Sequence, residues 1–100
     1  MNNTTNKPKL RNLGLCPVTP DPIEVLKLVQ ELREYVRTVD FQNISIYEAY
    51  FTFDYKDVTY RMDNHVLATS PAILYKAKPY ITEKLYELGA SNVQYHERCD

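Results

Sequence analysis

Two small groups of side chains come nearest to the spacing that metal binding requires. His96 and Cys99 sit three residues apart with Cys16 as a conceivable third donor, and Asp63 and His65 flank Asn64. A structural zinc site needs paired ligands such as Cys-x2-Cys followed by a second pair, and neither group supplies one. No metal and no cofactor are therefore expected. Acid–base chemistry would need a carboxyl or imidazole with a tuned pKa beside a partner in a dry pocket. Asp54 and Asp57 crowd one turn, but turns select Asp for its backbone hydrogen bonding and are wet. No Ser or Cys stands in a nucleophile context. The chain has only two glycines, Gly14 and Gly89, and so lacks the Gly-rich loops that cradle phosphates. No catalytic residue is assigned, and a non-enzymatic protein is expected.

The aromatic residues carry more information. Nine of the twelve are tyrosine, a residue that combines a large apolar ring with a hydroxyl needing a partner or water, which suits half-buried sheets and wet interfaces. Residues 47–55 and 58–62 form the densest cluster. If they pair as strands with helices on one side, Ile46, Tyr50, Thr52, Arg61, Gln94 and His96 share the uncovered face. Aromatic and Arg side chains on an open sheet are the means by which single-stranded RNA is stacked. The RNA-reading strand signature also needs a glycine and a leading basic residue, and residues 47–54 have neither. A protein partner on the same face requires less, since Tyr and Arg are favoured interface anchors. Tyr75, Tyr80 and Tyr86 are alternative anchors on a helix.

The elements that must position these side chains follow from spacing. Asp21 is placed to cap a helix, Pro22 to open it, and Glu24 to complete a capping box. Ile23, Leu26, Val29, Leu32, Val36 and Val39 then recur at three and four residues, which predicts a helix over about residues 22–39. Residues 44–54 and 57–63 read as strands. In the first, Tyr47, Ala49, Phe51 and Phe53 fall on one face and Ile46, Glu48, Tyr50 and Thr52 on the other. In the second, Val58, Tyr60 and Met62 point inward, with Thr59 and Arg61 outside. The connection through Asp54-Tyr-Lys-Asp57 has no glycine, so a loop longer than two residues is expected. Ser70 caps a second helical region with Pro71 at its start, the stripe Ile73, Ala77, Ile81, Leu85 and Leu88, and Gly89 at its end. Pro79 falls inside and predicts a kink or two short abutting helices. Residues 92–98 form a last strand with Val93 and Tyr95 inward. Residues 9–16 alternate imperfectly and read as a short first strand, before Pro17, Pro20 and Pro22 hold the chain extended.

The element order is thus (β)αββαβ, an α+β fold with a small antiparallel sheet of three or four strands under two helices. That order resembles the split arrangement of ferredoxin-like domains, a resemblance in order alone. It would make the first and last strands antiparallel neighbours, placing Cys16 near Val93 and roughly 20 Å from Cys99, so both thiols are expected free.

One hundred residues make one domain, expected over 9–100 behind a mobile polar tail at 1–8. The net charge is −1, with Lys7, Lys9 and Arg11 and no acid in residues 1–20. Three charges on a polar arm are sparse for a nucleic-acid binder. No segment approaches the length of a membrane span or the pattern of a signal peptide, so a cytoplasmic protein away from membranes is expected. The composition favours a small binding module acting on a protein partner: a regulator, adaptor or inhibitor of the compact kind used by phages and mobile elements. A homodimer through the sheet edge is a close variant. The alternatives are a single-stranded RNA-binding domain, aided by Lys7, Lys9 and Arg11, and a small-ligand sensor.

Overall fold

The computed structural model of the chain describes residues 9–13, 21–40 and 45–99. The polar tail at 1–8, the continuation of the first strand to Cys16, Pro17 and Pro20, the strand start at Ile44, and the separation of Cys16 from Cys99 lie outside the described residues. Within them the elements run β1 (Lys9–Asn12), α1 (Ile23–Val36), β2 (Glu48–Tyr55), β3 (Val58–Asp63), α2 (Pro71–Lys76), α3 (Lys78–Leu88) and β4 (Ser91–Arg98). The fold is α+β: a four-stranded sheet with the helices on one face.

The sheet order β1-β3-β2-β4 differs from the split arrangement in one decisive respect. β1 lies at the outer edge, parallel to β3, while β4 pairs antiparallel with β2 at the opposite edge. First and last strands are therefore not neighbours, and the sheet is mixed rather than antiparallel. A central strand must satisfy ladders on both sides, and a four-residue strand with an exposed Leu10 suits an edge better. The chain from β3 passes through α2 and α3 and returns parallel to it as β4, beyond β2. Such parallel returns need a helical crossover.

The strand alternation is as expected. β2 alternates half-buried and buried along its length, with Ala49, Phe51, Phe53 and Tyr55 against the helices. Tyr60 and Met62 join them from β3, and Val58, Val93 and Tyr95 pack at the margin. Tyr47 is the exception: it precedes the strand at a bend and is exposed, with the Arg98 guanidinium over its ring. The β2–β3 connection corrects the expectation of a longer loop. Tyr55 pairs with Val58 across a two-residue turn, and Lys56 and Asp57 adopt φ of 49° and 65°. Asp tolerates the left-handed region, and Lys56 is held there by its side chain, which reaches Glu24 on α1 at 2.9 Å.

The same glutamate explains why the capping box fails. Glu24 turns outward to the Lys56 ammonium and the Tyr55 hydroxyl, at 2.9 and 2.8 Å. Asp21 does not cap either; its carboxylate, with 7% side-chain exposure, forms an ion pair with Arg11, Oδ1 lying 2.7 Å from Nε. Pro22 occupies the N-cap with no side-chain bond. The buried stripe of α1 is Val25, Leu28, Val29, Leu32 and Val36. Ile23 and Leu26, expected inside, are 67% and 44% exposed. The first two turns are apolar on two adjoining faces, so spacing alone leaves the rotation open. The helix stops at Val36 because the Thr38 hydroxyl and amide both return to the Tyr35 carbonyl.

The second helical region forms as its local signals require. Ser70 Oγ accepts from the Ile73 amide at 3.3 Å with Pro71 at the first helical position. Pro79 divides the region into α2 and α3, and Gly89 closes α3 at φ +107°. Between β3 and α2 the chain is folded on its own side chains. Asp63 Oδ1 accepts from the amides of His65 and Val66, and Asn64, buried, bonds the Thr69 carbonyl through Nδ2.

The Glu24 cluster yields an expected pH response. The Lys56 ammonium first, then the residue's own backbone N–H and the Tyr55 hydroxyl, hold the Glu24 carboxyl down from 4.5 to about 2. A carboxyl depressed in the folded state contributes stability that is complete above its unfolded value and disappears as pH falls through the folded one. Urea unfolding of the wild type and Glu24→Gln should differ at pH 7, and that difference should shrink between about pH 5 and pH 2. A difference constant across this range would mean that charge has no part in tying the hairpin to α1.

Candidate interaction surface

The face of the sheet away from the helices is built by alternate residues of the three longer strands. Directly opposed residues share a face, so Tyr50 stands beside Asp63 and His96, and Thr52 beside Arg61 and Gln94. Tyr50 lies on the inner strand β2, with β3 on one side and β4 on the other. The His96 ring stacks on it from β4, with centroids 4.7 Å apart and planes 16° apart. The Arg61 guanidinium lies over it from β3, 4.1 Å from the ring centroid. A tyrosine flanked in this way has both faces occupied by its own chain.

The flanking groups are themselves held. Arg61 donates to Glu48 and to Asp63, each at 3.2 Å. Asp63 is fixed in turn by the two turn amides that its other oxygen accepts. His96 Nε2 is 2.9 Å from the Thr52 hydroxyl. At the far end of the face, Thr59 donates to Asp54, and Gln94 donates to Asn92. The result is a polar and aromatic lattice in which the half-buried Tyr50, Arg61, Asp63 and His96 each have at least two contacts. Such preorganisation lowers the entropy lost on binding.

The residues singled out from spacing divide into three groups. Tyr50, Thr52, Arg61 and His96 come together as the lattice, with Gln94 at its exposed rim. Ile46 does not belong to it: it precedes β2 and packs against the core. Strand alternation cannot be extended past the bend at Tyr47, which is why the parity argument fails there. Tyr75 and Tyr86 are exposed in the helical layer, on the opposite side of the molecule. Tyr75 shares Lys78 with Tyr95, whose own hydroxyl is pushed upward in pKa chiefly by burial. Tyr80, also read as a helical anchor, is half-buried and packs against the core. It stacks on Tyr35 of α1 with centroids 3.7 Å apart and planes 8° apart. Glu48 and Asp63, the carboxylates that orient Arg61, were not singled out as part of this face. Glu48 lies in the same alternating row as Tyr50, and that parity was the available signal.

The Thr52–His96 contact has the hydroxyl–imidazole distance of an activated nucleophile. Among the described residues, however, no carboxylate bonds the other imidazole nitrogen to orient it. Asp63 and His65, read as a conceivable ligand pair, serve as a turn residue and an exposed side chain. Among the described residues no group of three or more His, Cys, Asp or Glu is arranged to hold a metal ion. Glu48 and Asp63 both bind Arg61, and Asp54 adds a third carboxylate further along the same face. A phosphate backbone would meet repulsion there, and a base would have to displace Arg61 or His96 to stack on Tyr50. No described helix is long and apolar enough to cross a membrane. No protein-family model matches the chain, and neither the curated proteins nor the solved structures contain a match to it.

Proposed function

We propose that this protein is a non-enzymatic binding module that docks a protein partner on its open sheet face, acting as a regulator, adaptor or inhibitor by covering the partner's surface. The observation that carries this reading is Tyr50 held between Arg61 and His96. Tyr and Arg are the residues most often found as interface anchors, and here they stand at the centre of a rigid face rather than on a loop. Around them, Gln94 and Asn92 supply a polar margin on one side, and Asn12 with the exposed apolar Leu10 lies on the other.

The test is affinity capture from native host lysate with wild type, Tyr50→Ala and Tyr86→Ala, each with and without nuclease. The proposal expects one protein in near-stoichiometric yield, resistant to nuclease, retained by Tyr86→Ala and lost from Tyr50→Ala. Loss through Tyr86→Ala alone would move the surface to the helical layer. Recovery that vanishes with nuclease or falls steeply with salt would replace the protein partner with RNA.

A further inference from the structure

A cleft of about 310 Å³ lies on the helical side of the sheet, remote from the lattice. It opens between α1 and two segments beside it, the residue that follows β1 and the turn that follows β3. Leu13, Leu26, Val29 and Val66 line it with apolar surface, and Asp21, Gln30 and Arg33 supply the polar groups. Asp21 is spoken for by its 2.7 Å contact with Arg11, so its charge is neutralised locally. Arg33 differs. Its Nε donates to the Val66 carbonyl at 2.7 Å, which fixes the guanidinium across the cleft from α1 to the turn. Among the described residues no group accepts from its terminal nitrogens. An arginine anchored at Nε with its outer fork open offers a paired donor edge matched to a carboxylate.

We infer that this cleft binds a small monocarboxylate with a short apolar body. The carboxylate takes the outer edge of Arg33, and the apolar part lies against Leu13, Leu26, Val29 and Val66. The cleft carries one uncompensated positive charge, because Arg11 cancels Asp21, and this selects an anion over a neutral or cationic molecule. Its volume is at the lower limit of small-molecule sites. At about 30 Å³ per water-sized group it accommodates roughly ten non-hydrogen atoms, which excludes nucleotides and longer acyl chains. The inference is independent of the docking face, because no residue is shared between the two.

The test uses the full-length, 15N-labelled protein titrated with hexanoate, with hexan-1-ol, hexylamine and sodium chloride as matched controls. Saturable amide shifts are expected at Leu13, Val29 and Val66 with hexanoate, and not with the alcohol, the amine or chloride. Arg33→Gln should weaken hexanoate at least about tenfold, the ordinary loss when a charged hydrogen-bonded pair is broken. Gln30→Glu, at an exposed helical position that leaves folding undisturbed, should weaken it as well by placing a negative charge at the mouth. Leu26→Ser should weaken hexanoate more than acetate. The proposal is overturned if no shift saturates below about 20 mM, a very weak site by any measure. It is equally overturned if hexanol or chloride reproduces the shifts, or if Gln30→Glu and Arg33→Gln leave them unchanged.

Discussion

Tyr50→Ala is expected to weaken binding of the captured partner by at least about thirty-fold, which corresponds to about 2 kcal/mol, the lower bound of an interface hot spot. The size follows from what the ring supports. Tyr50 contributes its own contact area and also the surface on which Arg61 and His96 rest. Removing it takes one of the supports from each neighbour, so the loss includes the entropy of ordering them more fully at the interface. Arg61→Lys keeps the charge but loses the planar fork that bridges Glu48 and Asp63, and about a tenfold loss is expected from it. Tyr86→Ala, on the far side of the molecule, should bind as the wild type does. The measurement is calorimetric titration at two salt concentrations, with circular dichroism to show that each variant is folded. Equal affinity for Tyr50→Ala and the wild type would remove the open face from the docking surface.

Phe51→Ala should have the largest effect on stability, a loss of about 3–5 kcal/mol in urea unfolding with little change in m. Phe51 is fully buried on the inner strand β2 and meets the Tyr95 ring edge-on with centroids 5.3 Å apart. Truncation leaves a cavity that cannot collapse, because β3 and β4 hold the backbone from both sides. Domains of this size have about 5–15 kcal/mol in total, so the variant will stand close to its unfolding threshold at 37 °C. The adjacent residue is the control. Thr52 points to the open face and loses one hydrogen bond to His96 as Ala, a cost of about 1 kcal/mol. Similar losses for the two variants would mean that the helices do not cover the Phe51 face.

These two expectations rest on neighbouring residues of β2 that strand alternation places on opposite faces from the sequence alone. Alternation is legible because a strand's side-chain period is two whatever lies around it. The lattice itself was only partly legible. Parity grouped Tyr50, Thr52, Arg61, Gln94 and His96, but it could not say that Arg61 would be drawn between Glu48 and Asp63 and laid over Tyr50. It also misplaced Ile46, because the bend at Tyr47 breaks the period. The helical tyrosines show a similar boundary. Tyr80 looked like an exposed anchor by spacing, and only the approach of α1 to α3 turned it onto Tyr35.

The sequence by itself determined whatever depends on a few neighbouring residues. Ser70 caps α2 because its hydroxyl is three residues from an amide that has no helical partner. Pro79 divides the helical region because it lacks an N–H, and Gly89 ends it because φ +107° strains any side chain. The α+β class follows from the same local periods. The tertiary structure alone decided the strand order, the rotation of α1 that exposes Ile23 and Leu26, the pairing of Asp21 with Arg11, and the tight turn at Lys56 and Asp57. Each depends on groups far apart in the chain: Glu24 meets Tyr55 across 31 residues, and Thr52 meets His96 across 44. Local propensities at such sites are nearly balanced, with two apolar faces on α1 and two available edges beside the hairpin. The free energy that breaks the tie comes from packing and ion pairing that exist only once the chain has closed on itself.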